Sequence, residues 1–141
     1  MRRLITIVAV ALVALAVGAT AALADGSQTV APTKKQKAGI LKAWNNGKAV
    51  PANKQQCLSV ALSKSNKVWA ALKFNDKATG CMAMAFDGTA ILWGSGASWN
   101  IFMEGSSVDP ATCTAMQGAL GADAWVDLVD YAGGMGCQNI D

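Results

Sequence analysis

Four cysteines, five tryptophans and no histidine set the chemistry open to this 141-residue chain. Without an imidazole there is no Ser-His-Asp triad, no Cys-His dyad and no histidine-ligated metal. Cys57, Cys81, Cys113 and Cys137 are even in number and stand apart, with no C-x-x-C pair to hold zinc. They read as two disulfides. Of the three possible connectivities, Cys57–Cys81 with Cys113–Cys137 is favoured because each brackets a compact segment, 24 residues apart in both cases. A cross-link over that length is worth about 3 kcal/mol in chain-entropy terms. Once the thiols are oxidised, no sulfur nucleophile remains.

What is left is carboxylate chemistry or a lysine base. Asp87, Glu104 and Asp109 fall at or just beyond the ends of apolar runs. Two carboxyls converging in an aromatic-lined cleft are what a glycan hydrolase needs. Simpler tasks account for all three: Asp87 shapes a turn, Asp109 caps a helix and Glu104 is a surface charge. Gly94-Ser95-Gly96 lacks the following helix that a phosphate-cradling loop requires. Acids do not alternate as a calcium loop demands, so neither a metal nor a cofactor is expected.

The tryptophans are Trp44, Trp69, Trp93, Trp99 and Trp125, and core packing is their ordinary use. Trp69 differs, because it lies between Lys67 and Lys73 on the face opposite an aliphatic one. Trp93 and Trp99 flank the glycine-rich turn at 94–98. Two such rings exposed side by side would make a sugar-stacking or protein-binding surface. Trp69, Lys67, Lys73, Trp93 and Trp99 are therefore the candidate binding residues. An inhibitor of proteases would instead need a rigid exposed loop, for which 94–98 and 105–109 are the candidates.

Charge is divided along the chain. All ten lysines lie between Lys34 and Lys77, and over residues 25–77 only Asp25 and Asp76 oppose them, a balance of +8. From residue 78 onward there are seven acids and no base. Two mutually attracting halves explain this most simply; a basic face for an anionic cell-wall polymer, phospholipid or nucleic acid is the sharper reading. The only arginines are Arg2 and Arg3, so bidentate base or phosphate recognition is missing and specific nucleic-acid binding is not expected.

Those arginines open a leader. Leu4 to Val17 is apolar without a charge, and small residues follow to Ala22-Leu23-Ala24 before Asp25. This is the pattern of a secretory signal cleaved after Ala24. No later apolar run could span a membrane. The expected product is secreted: a flexible lead at 25–32 and one α+β domain at 33–141.

The elements that must hold these residues follow from periodicity. A helix starts at Thr33, carries Ile40, Leu41 and Trp44 on one side and stops at Asn45-Asn46-Gly47. Residues 47–56 read as loop. Alternation predicts strands at 57–63, 68–74, 81–86, 89–93 and 99–104, joined as an antiparallel meander with Asp87-Gly88 as a hairpin turn. Two apolar faces on some strands imply that helix covers one side of the sheet. Asp109-Pro110 then opens a helix ended by Gly121, and a second runs through 122–132 with Trp125, Leu128 and Val129 inward. The fold class is thus α+β: an N-terminal helix, about five strands and two short C-terminal helices, stapled by disulfides.

Cys57-Leu58-Ser59-Val60, Trp69-Ala70-Ala71-Leu72, Cys81, Phe86-Asp87-Gly88 with Ile91-Leu92, Gly96 to Trp99 and Gly105-Ser106-Ser107 recur in this order over residues 38–120. In these features the chain resembles a loose group of small secreted actinobacterial proteins of unknown function. The resemblance implies an exported α+β domain and no particular activity. The expected role is non-enzymatic binding outside the cell, to a cell-wall polymer or another exported protein. A carboxylate-based glycan hydrolase is the alternative.

Overall fold

The computed structural model describes residues 28–75, 80, 81, 88–133, 135 and 137. The leader expected at 1–24, most of the strand expected at 81–86, Asp87 and the last four residues lie outside them.

The first helix, α1 (Lys34–Trp44), begins with a capping box. Thr33 Oγ1 accepts the Gln36 backbone N–H, and Gln36 Oε1 accepts that of Thr33. It ends where Asn46 and Gly47 turn left-handed, a conformation Asn and Gly tolerate best. A short turn of helix, α2 (Ala52–Gln55), interrupts the stretch read as loop.

Five strands form one antiparallel sheet in chain order: β1 (Thr29–Val30), β2 (Leu58–Ser63), β3 (Trp69–Phe74), β4 (Thr89–Ser95) and β5 (Ser98–Gly105). The meander differs from the expected one in membership. β1 lies within the supposed flexible lead and pairs with Leu62 and Ser63. At the centre, β3 pairs directly with β4, from Trp69 opposite Trp93 to Lys73 opposite Thr89. β4 has β3 on one edge and β5 on the other. Gly88 stands against the backbone of Gly105, where a Cβ would meet the carbonyl carbon at 2.6 Å.

Helices cover both sheet faces rather than one. On one side Ile40 and Leu41 of α1 close over Leu58, Leu62, Leu72, Leu92 and Trp99. On the other lie α3 (Pro110–Leu120) and α4 (Ala122–Val129), where Met116, Leu120 and Leu128 pack on Ala71 and Ile91. α3 opens with Asp109 as N-cap, its carboxylate accepting the Thr112 N–H, and with Pro110 in the first turn. Both disulfides take the favoured pairing, Cys57–Cys81 and Cys113–Cys137. The second ties α3 to the returning tail inside its own core layer, and the first anchors the start of β2.

Candidate functional site

Strand alternation decides which side chains share a surface. In an antiparallel ladder, directly opposed residues lie on the same face, so Trp69 on β3 and Trp93 on β4 project together. Trp69 packs at the margin of the α3–α4 core layer, which places both rings on that face. A bulge where Ile91 and Leu92 meet β5 puts Phe102 between the partners of those two residues. Its ring meets that of Trp69 edge to face, with centroids 5.3 Å apart and planes at 81°. α4 lies over β2 and β3. Trp93 is 48% exposed and Phe102 37%, while Trp69 is half-buried beneath them. Three aromatic rings thus share one sheet surface, with the exposed Lys67 in the turn preceding Trp69.

The other candidate residues are elsewhere. Lys73 shares the Trp69 face of β3 but four positions along it, and its Nζ sits 4.2 Å above the Tyr131 ring. Burial raises the Tyr131 phenol, and a hydrogen bond with Ser59 partly opposes that. Trp99 is buried beneath α1, with its indole Nε1 donating to the Gly96 carbonyl, so it belongs to the core and not to the exposed surface. That bond and the approach of Gly39 to Ala97 hold the 94–98 turn against α1. The 105–109 segment is fixed from its far end, where the Val108 N–H donates to the Met135 carbonyl.

The two described acids proposed for hydrolysis have structural work. Glu104 Oε1 accepts the Trp44 indole N–H at 3.2 Å on the α1 side of the sheet. Asp109 caps α3, and its hydrogen bonds to Thr112 hold its carboxyl below the ordinary value. Between Ile91, α3 and α4 the interior leaves about 10 Å³, lined by apolar side chains such as Leu120, Trp125 and Leu128. That is scarcely one water's volume and offers it no polar partner, so it is a packing interstice.

Sequence reasoning missed two features. One is Phe102, whose partnership with Trp69 depends on the bulge. The other is Asp127, a buried acid on α4. Its Oδ2 accepts Ser63 Oγ at 2.6 Å, Ser65 Oγ at 2.6 Å and the Ser65 N–H at 2.7 Å. Burial, the largest single influence, pushes this carboxyl upward; the bonds from Ser63 and Ser65 together outweigh it and hold the group below its usual value. A signal was present, since Asp127 falls on the inward stripe with Ala124 and Leu128.

Among the described residues no helix is long and apolar enough to cross a membrane, and no three potential ligands among His, Cys, Asp and Glu gather around a common point. No protein-family profile, curated protein or solved structure matches the chain.

Proposed function

We propose that the domain is exported and acts outside the cell as a non-enzymatic binding module, docking another exported protein on the Trp69–Trp93–Phe102 surface. The half-exposed Trp93 beside the edge-to-face Trp69–Phe102 pair carries this reading. Folding normally hides such rings. Tryptophan is among the residues that dominate protein interfaces, because it buries much area at little cost in side-chain entropy. Rigid strands hold all three here, so little ordering is needed on binding. Export is supported by the cationic-apolar-small pattern of residues 1–24 and by two disulfides, which form and persist in oxidising compartments.

The test is capture. The oxidised domain is immobilised, exposed to the producer's extracellular and wall fractions, and compared with a Trp93→Ser variant. One saturable protein retained by the native surface and lost from the variant supports the reading. Equal retention by both surfaces contradicts it.

A further inference from the structure

The lysines on and just after α1 do not meet the acids of α3 and α4; the sheet stands between them. Lys34, Lys35 and Lys42 of α1 are exposed, Lys37 is half-exposed, and Lys48 and Lys54 follow on the surface just beyond. None of these six makes an ion pair among the described residues. Glu104 is the described acid on this side, and its carboxylate is engaged by Trp44. The opposite layer carries Asp109, Asp123 and Asp130 at the surface and no lysine on either helix. Mutual attraction of the two halves therefore leaves this basic face unexplained. Like charges held together at a surface repel, and an anionic ligand relieves that repulsion while releasing its own counterions.

A groove runs through the same face. It opens between the C-terminal half of α1 and the β4–β5 turn, has a volume of about 310 Å³, and its lining includes Gly39, Lys42, Ala43, Ala97, Ser98 and Trp99. Lys42 brings a cation to its wall and Ser98 a hydroxyl. Asn100 adds an amide, and the remaining lining is small or, at Trp99, nearly closed. Lys35 lies two turns away along α1, a rise of about 10 Å.

We propose that this face binds a linear anionic glycan, a hydroxyl-rich chain carrying carboxylate or phosphodiester charges, with one charge on Lys42 in the groove and others on Lys34 and Lys35. A membrane fits less well, because the exposed positions of α1 carry lysines and Ala38 and no large apolar side chain to insert. Nucleic acid fits less well too, since the described chain has no arginine and the groove offers no open aromatic face for a base. The proposal is independent of the aromatic surface on the other side of the sheet.

Binding of the oxidised chain is measured against polygalacturonate and against poly(glycerol phosphate). Phosphatidylglycerol–phosphatidylcholine vesicles and single-stranded oligothymidylate run alongside. The expected result is tightest binding to one or both glycans, weakened at least about tenfold between low and moderate salt. Lys42→Glu loses about tenfold or more and Lys67→Glu, with the same charge change, less than about threefold, while Trp93→Ser binds normally. Circular dichroism checks that each variant folds. Preference for vesicles or oligonucleotide, no glycan binding at low salt, or equal losses at Lys42 and Lys67 would overturn the proposal.

Discussion

Ser63 donates its hydroxyl to Asp127 Oδ2 across 2.6 Å, joining β2 to α4 over 64 residues of chain. The same oxygen receives Ser65 through both its hydroxyl and its N–H, and Ser63 Oγ in turn accepts the Asn66 N–H at 2.9 Å. One carboxylate therefore fixes the β2–β3 turn against the helical layer, just ahead of Trp69. Its loss should loosen the turn that carries Lys67 as well as the packing of α4.

Asp127→Ala leaves three donors at a buried site without their acceptor. The expected cost is about 2–4 kcal/mol, read as a lower urea midpoint with an unchanged slope. Ser63→Ala, which removes one donor and leaves the carboxylate two, should cost about 1–2 kcal/mol.

Acid should reproduce part of that effect. The Asp127 carboxyl is held below its unfolded-state value, so its stabilising contribution is fully present above the unfolded pKa of about 4 and is lost as pH falls through the folded value. Asp109 at the α3 cap shifts the same way. Thermal unfolding at pH 6 should separate native protein from Asp127→Asn clearly, and the gap should narrow below about pH 4. A constant gap across that range would show that Asp127 does not titrate with folding.

Two helical glycines should answer Ala substitution with opposite signs. A Cβ at Gly39 would lie 2.6 Å from the Ala97 carbonyl oxygen, whereas at Gly118 it would meet nothing within 4 Å. Gly118→Ala in α3 should stabilise by about 0.5–1 kcal/mol through helix propensity alone. Gly39→Ala gains the same propensity but must push α1 off the β4–β5 turn, for a net loss of about 1–3 kcal/mol. Differential scanning calorimetry of both variants reads the two signs directly.

Removing Cys113–Cys137 by the double Cys→Ser substitution should cost about 3 kcal/mol, because it frees a loop closed over a 24-residue separation. The tail carries Met135 into the α3–α4 core layer and accepts the Val108 N–H there. Faster hydrogen exchange at Val108 should accompany the loss, and unchanged protection there would separate the disulfide from that contact.

Local signals read well in this chain. Asp109-Pro110 announced α3, and the even spacing of the cysteines announced their pairing. What failed was non-local. β1 has only two residues and exists because β2 offers it an edge, which no window around Thr29 reveals. Asp127 was passed over because acids usually face solvent on helices; only its place beside Leu128 betrays it. The aromatic surface was half legible. Trp69 and Trp93 stood out by their neighbours, whereas Phe102 reaches Trp69 through a bulge that periodicity does not encode.

Trp93, Trp69 and Phe102 are proposed to form a docking surface. The most direct measurement is the dissociation constant of the captured partner for the oxidised domain and for Trp93→Ser, with Lys73→Ala, at Tyr131 and away from the rings, as control. Trp93→Ser should weaken binding at least about tenfold, as expected of a hot-spot tryptophan, and Lys73→Ala should change it little. Affinities of the native domain and Trp93→Ser within about twofold of each other would contradict it.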